Sequence, residues 1–273
     1  MTASGHHDPG RITSASNPAI AFVRSLGHRE RRAAERAFVV EGVRAVRDAL
    51  ATGATPHLVL LREAAPGDRL PDLTFPAGVP VRVVERRLFD RLSEVQAPQG
   101  ILAVFPMPAL ALETNDSAPL VLVLDRLRDP GNLGTLLRAA AGAGVQAVYL
   151  TPETVDPWNP KVVRAGMGAH FRAPILPLDR DAMGELAARL SLRVVARADA
   201  SLPYDAVDWT APAALIVGSE AEGVSPEMDA WSSEAVTIPL AAGVESLNAA
   251  VAGAVILFEA ARQRRVARTT VPR

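Results

Sequence analysis

The 273-residue sequence predicts an α/β protein in two parts, a small N-terminal α/β unit followed by a larger unit on a mostly parallel sheet. Two observations predict it. Short apolar runs alternate with segments of helical periodicity along nearly the whole chain, and regular alternation implies parallel strands with helices on both faces. Near the middle the segment PMPALALETNDSAP, with Pro106, Pro108 and Pro119 among polar turn formers, breaks that alternation. On this reading residues 1–15 are a disordered tail, 16–106 a first domain, 107–118 a linker and 119–273 a second domain.

In the first domain Asn17 before Pro18 supplies a cap followed by proline at the first helical position, and one helical pattern then runs through an arginine cluster. Strands follow at FVV (38–40), HLVLL (57–61), VPVRVV (79–84) and ILAVF (101–105). Between them GVRAVRDALATG, closed by Gly53, and RRLFDRLSEV have helical periodicity. From residue 120 strands recur at VLVL, VQAVYL, RVVAR, ALIVG and AVTIPL, and the chain ends in a helix from about Leu247 to Arg264.

Composition narrows the function. The net charge is -1, yet residues 10–47 hold eight arginines against three acids, a basic front joined to a near-neutral body. Such a cluster is either a solvated helix face or a footprint for phosphates. Lys161 is the only lysine, which reads as composition bias. With no cysteine, disulfides, thiolate metal sites and cysteine nucleophiles are excluded, and the five histidines show no metal-ligand spacing. The N-terminus lacks the apolar core of a signal peptide, and the longest apolar run, AAVAGAVILF (249–258), falls short of the roughly 20 residues a membrane span needs. The expectation is a cytoplasmic protein with no membrane or DNA partner.

Three loops at strand ends carry the chemistry. The first, DRLRDPGNLGTLLR, has Pro130-Gly131 as a turn and Asn132 as a helix cap, with Arg138 one turn beyond Gly134. The second empties the strand ALIVG into Gly218-Ser219-Glu220-Ala221-Glu222-Gly223. The third leads from Ile238-Pro239 to Ser246-Leu247-Asn248, where Ser246 or its neighbour caps the last helix. Taken singly, each has an ordinary reading: a solvated helix arginine, an acidic turn, a capped packing helix. The string GAGVQA (142–147) matches a dinucleotide fingerprint, but it closes a helix instead of opening one, so Gly142 and Gly144 read as helix termination and a nicotinamide dehydrogenase is disfavoured.

In order and spacing the three loops together resemble the three motifs of the SpoU/TrmH branch of the SPOUT RNA methyltransferases. The matching residues are Asn132, Gly134 and Arg138, then Gly218, Glu220 and Gly223, then Ile238-Pro239 with Ser246-Leu247-Asn248. The resemblance extends to DPWNPKVVRAGMGAHFRAPI (156–175) and to FVVEGVRAVRDAL and QAPQGILAV in the first domain, which look like the substrate-binding domain of the ribosomal-RNA members. Gly166 and Ala250 stand where the family often has serine.

This resemblance implies a SPOUT domain with a trefoil knot at residues 119–273, a departure from the usual absence of knots, and an RNA substrate-binding α/β domain at 16–106. It implies methyl transfer from S-adenosylmethionine to a ribose 2′-hydroxyl of rRNA, most readily 23S large-subunit rRNA, by a homodimer that needs no metal. A tRNA substrate and a non-catalytic ribosome-associated RNA-binding protein are the alternatives. Gly218, Ile238 and Leu247 would bind the cofactor. Arg138 would reach the partner subunit's site as the charge that activates the hydroxyl, with Glu220, Ser246 and Asn248 as its catalytic companions. Asn132 and the basic residues Arg24, Arg29, Arg31 and Arg32 would engage the RNA.

Overall fold

The computed structural model describes residues 11–65, 72–111 and 118–270. They fall into two compact units, one within Met1–Met107 and Trp158–Phe171, the other within Pro108–Pro157 and Arg172–Arg273. The segment Trp158–Phe171, which follows the 107–118 linker in sequence, thus packs with the first unit. Residues 1–10 of the expected tail and 112–117 of the expected linker lie outside the described residues. Arg11 and Ile12, assigned to the tail, instead form a short strand, because Ile12 is buried in the first core.

The first unit runs β1 (Arg11–Ile12), α1 (Pro18–Ser25), α2 (Arg29–Glu35), β2 (Ala37–Glu41), α3 (Val43–Ala51), β3 (Leu58–Arg62), β4 (Val81–Val84), α4 (Arg86–Asp90) and β5 (Ile101–Pro106). Its five strands lie in the order β1-β4-β3-β5-β2, with β5 antiparallel to both neighbours and the other pairs parallel. The helix expected after Asn17 is capped by that residue as read, but it is two helices. Arg32 explains the break: its guanidinium turns back to donate to the carbonyls of Leu26 and Gly27, both at 2.8 Å, and satisfies the end of α1. The helix expected at RRLFDRLSEV also stops early, at Asp90. Beyond it the Ser93 hydroxyl turns aside to donate to Glu41 while accepting from the backbone of Val95, so the side chain competes with helical bonding.

The second unit begins with β6 (Leu120–Leu124), α5 (Pro130–Ala143) and β7 (Ala147–Leu150). The chain then visits the first unit as α6 (Pro160–Gly166), where the rings of Trp158 and Phe171 lie 4.8 and 5.5 Å from that of Phe38. It returns as β8 (Ile175–Pro177), α7 (Arg180–Arg189), β9 (Leu192–Ala196), β10 (Leu202–Pro203), β11 (Ala213–Val217), α8 (Pro226–Trp231), β12 (Glu234–Thr237) and α9 (Ala249–Thr270). The seven strands are all parallel, in the order β10-β12-β9-β11-β6-β7-β8.

Every residue of the central strands β6 and β11 is buried, as parallel strands covered on both faces require. Val121, Val123, Ala214 and Ile216 pack with Leu186 of α7 and with Leu190 just past its end on one face. Helix α9 packs on α5 and β11, and its Gly253 leaves room for the Leu136 and Val217 side chains. Gly144 ends α5 in the left-handed region at φ 76°, as the helix-termination reading required, whereas Gly142 lies inside the last turn. Among the described residues no helix is long and apolar enough to cross a membrane.

Candidate active site

Each of the three loops is shaped by its own sequence. In the first, Pro130 takes the first helical position, so the cap is the residue before it. Asp129 accepts from the Asn132 backbone N–H at 2.7 Å, which corrects the expectation that Asn132 is the cap. The Asn132 side chain is therefore available for other bonds. In the second, Ser219 and Gly223 exchange two backbone hydrogen bonds, at 2.9 and 3.0 Å. Gly218 is tightly constrained, since a Cβ there would collide with the backbone of Gly223 and Val224. In the third, Asn248 and not Ser246 caps α9, its Oδ1 accepting from the backbone N–H groups of Ala250 and Val251 at 3.0 and 3.2 Å. The Ser246 side chain is exposed and makes no hydrogen bond to a described residue.

Asn132 joins the three loops. Its amide Nδ2 donates to the Glu220 carboxylate, and its Oδ1 accepts from the Asn248 amide at 3.1 Å. Residues 88 and 116 positions apart are thereby held in one polar cluster. Beside it opens a cleft of about 620 Å³, inside the about 300–1,000 Å³ range of small-molecule sites, at the carboxyl ends of β9, β11 and β12. Gly218, Glu220, Ile238, Ser246, Leu247 and Asn248 all line it. The tight turn that Gly218 permits, flanked by apolar Ile238 and Leu247, leaves a cleft that suits a flat heterocycle with polar edges.

A supporting layer escaped the sequence reading. Asp125, 1% exposed at the end of β6, accepts from the Thr151 hydroxyl at 2.8 Å and from the Ser225 backbone N–H, tying the second loop to two strand ends. Arg126, at φ 54°, donates to Glu222 at 3.1 Å. Only the position of Asp125 at the end of an apolar strand could have signalled this. Arg197, on the cleft wall, donates to Asp199 and Asp229 at 2.9 and 3.0 Å. These bonds hold the Asp199 carboxyl below its ordinary value, chiefly through the hydrogen bond from Arg197.

Arg138 stands apart from the cluster. It is exposed on α5, six residues and so about 9 Å of helical rise beyond Asn132, with no hydrogen bond or ion pair to a described residue. Gly131, Thr135, Arg138 and Gly142 form one exposed stripe at helical spacing. An exposed stripe of α9, Val251, Val255 and Phe258, lies alongside, since a Cβ on Gly142 would sit 3.3 Å from the Phe258 ring.

In the first unit Arg24, Arg29 and Arg31 are exposed, and Arg31 pairs with Glu35 at 2.7 Å. Arg32 requires correction. At 3% exposure, with its guanidinium on two carbonyls, it is a structural group and does not face a ligand. Among the described residues no cluster of His, Cys, Asp and Glu could hold a metal ion.

Comparison with known proteins agrees with this architecture. A model of the SpoU rRNA methylase family matches residues 119–258, and one of the MRM3-like substrate-binding domain matches residues 17–103. The chain is 36% identical to the mitochondrial rRNA methyltransferase 3 of Mus musculus, over 90% of this chain and 72% of that protein. It is 30% identical to the 23S rRNA (guanosine(2553)-2′-O)-methyltransferase RlmP of Bacillus subtilis, over 91% of this chain and 98% of the relative. Among solved structures, an AdoMet-bound rRNA methyltransferase from Sinorhizobium meliloti superposes with a TM-score of 0.80 at 30% identity, covering 92% of this chain and 97% of the other.

Proposed function

Because the chain belongs to the SpoU rRNA methylase family, we propose that it transfers a methyl group from S-adenosylmethionine to a ribose 2′-hydroxyl of 23S rRNA, as a homodimer. The observation that carries this reading is the Asn132 bridge between Glu220 and Asn248 at the mouth of the cleft. The ribose chemistry is supported by the relative from Bacillus subtilis, whose name states that it methylates a 2′-oxygen of 23S rRNA. The cofactor is supported by the AdoMet-bound neighbour and by the fit of the cleft.

S-adenosylmethionine supplies an already activated methyl group. The protein's task is to hold the acceptor in line and stabilise the charge that develops on its oxygen. Gly218 permits close backbone approach to the adenine, and Ile238 and Leu247 present apolar surface to it. Asn132 fixes the Glu220 carboxylate, while the Ser246 hydroxyl remains available to bond the incoming ribose. A guanidinium is a donor fork and a poor base, so Arg138 acts as a charge that stabilises alkoxide and grips a phosphate. Its separation from the Asn132 cluster supports action across a dimer, and the exposed Val251, Val255 and Phe258 beside it offer the apolar face such a dimer would bury.

The test offers labelled S-adenosylmethionine with unmodified large-subunit rRNA, small-subunit rRNA or tRNA. The expected result is label at one nucleotide of the large-subunit RNA, seen as a gap in an alkaline ladder, because a methylated 2′-oxygen cannot cleave the strand. Label on a base with an uninterrupted ladder overturns the ribose chemistry, and preferential labelling of tRNA overturns the substrate.

A further inference from the structure

Within the first unit lies a cavity of about 240 Å³, below the usual range for drug-sized ligands and of the scale of one nucleotide base. It opens beside β2, one of the two edge strands of its sheet. Val23, Leu92, Leu102 and Val163 supply apolar surface. Into this setting β2 projects a carboxylate. Glu41 Oε1 accepts the Ser93 hydroxyl, and Oε2 makes no hydrogen bond with a described residue. Arg24, Arg91 and Arg164 also line the cavity. Neither Arg24 nor Arg91 is in an ion pair with a described residue, and Arg164 reaches only Glu94, at 4.0 Å.

Three guanidinium groups against the two carboxylates of Glu41 and Glu94 leave the lining one positive charge in excess, and a Glu41 carboxylate with free lone pairs among apolar side chains asks for an occupant that is flat, donates hydrogen bonds and carries negative charge. We propose that this cavity binds one guanine nucleotide extruded from the substrate RNA, with Glu41 reading the base and the arginines holding its flanking phosphates. The choice among bases follows from their edges. On the Watson–Crick edge guanine presents two adjacent donors, N1–H and N2–H, which match two carboxylate oxygens. Adenine and cytosine set one amino group beside a ring acceptor, and uracil flanks its single N–H with carbonyls, so each brings a lone pair against the carboxylate. Single-stranded RNA is commonly read by splaying out a base in this way. Ser93 is a positioning residue, fixing the carboxylate through its hydroxyl.

This inference rests on RNA being the substrate, but it concerns recognition and not transfer. Full-length protein is titrated with GMP, AMP, CMP and UMP while backbone amide signals are followed by NMR. GMP is expected to shift the signals of Glu41 and Ser93 and to bind about tenfold more tightly than AMP, the discrimination typical of a good paired contact. Glu41→Gln should erase that preference with S-adenosylmethionine binding unchanged. Equal binding of the four nucleotides, or a GMP preference that survives Glu41→Gln, overturns the proposal. Methyl transfer to rRNA without any GMP preference overturns this inference alone; GMP preference without transfer overturns the proposed function alone.

Discussion

The second unit gathers its polar groups and the first unit scatters them, and the sheets explain why. Seven parallel strands bring their carboxyl ends to one edge, so loops far apart in sequence meet there, as at Asn132, Glu220 and Asn248. The mixed five-stranded sheet of the first unit has no such common edge. Its cavity is instead built beside an edge strand from single residues, Glu41 of β2, Ser93 after α4 and Arg164 of α6. A parallel sheet therefore writes its site into the sequence as short motifs, whereas an edge-strand cavity leaves no motif at all. Arginine sharpens the contrast. Arg138 is exposed and without a described partner in the second unit, and Arg32 is buried with its guanidinium on two backbone carbonyls in the first.

The largest effect should come from Arg138. Arg138→Ala is expected to lower turnover by about 10²–10³-fold, the cost of removing one preorganised group that stabilises charge, with S-adenosylmethionine affinity by calorimetry nearly unchanged. Arg138→Lys should also be badly impaired, because an ammonium lacks the planar fork. Mixing Arg138→Ala subunits with Asn248→Ala subunits should restore turnover if Arg138 acts across the proposed dimer, since a mixed dimer would then contain one intact site. Wild-type turnover by Arg138→Ala would return this residue to the status of a solvated helix arginine.

Next in size is Gly218, where the gathered site depends on a missing side chain. Gly218→Ala places a methyl group against the backbone of Gly223 and Val224, which cannot yield as a flexible side chain would. The loop must open, and cofactor affinity measured by calorimetry is expected to fall at least about tenfold, equivalent to about 1.4 kcal/mol. Unchanged affinity would show that the cleft tolerates displacement of this loop and that the glycine does not shape it.

Legibility followed the same division. The alternation of apolar runs predicted the parallel sheet, since β6 and β11 are buried on both faces and read as unbroken LVLVL and AALIV. The three loops were visible because each keeps its residues within a few positions. What stayed hidden depends on tertiary partners. The cap at Asp129 was legible, because Pro130 at the first helical position marks the residue before it just as Pro18 marks Asn17, but nothing local places Trp158–Phe171 with the first unit. Asp125 became meaningful only once Thr151 and Ser225 were seen beside it. Likewise the arginines of residues 24–32 look alike in sequence, and burial alone separates Arg32 from the rest.

That separation makes the smallest and most selective prediction. Arg32→Met keeps a long apolar stem but removes both hydrogen bonds to the carbonyls of Leu26 and Gly27, leaving the end of α1 unsatisfied. Hydrogen bonds to charged groups contribute about 1.5–3 kcal/mol, so the first unit should lose about 2 kcal/mol of stability in denaturant unfolding. Arg29→Ala, at an exposed position, should change stability by no more than about 0.5 kcal/mol. RNA binding should order the two the other way. Removing a phosphate contact at Arg29 should weaken binding at low salt and flatten its salt dependence by about one unit of slope, because one counterion fewer is released. Arg32→Met, assayed under conditions where it remains folded, should keep the wild-type slope. Equal slopes for Arg29→Ala and wild type would remove Arg29 from the RNA surface, and a flattened slope for Arg32→Met would mean that its guanidinium leaves the two carbonyls to meet the RNA.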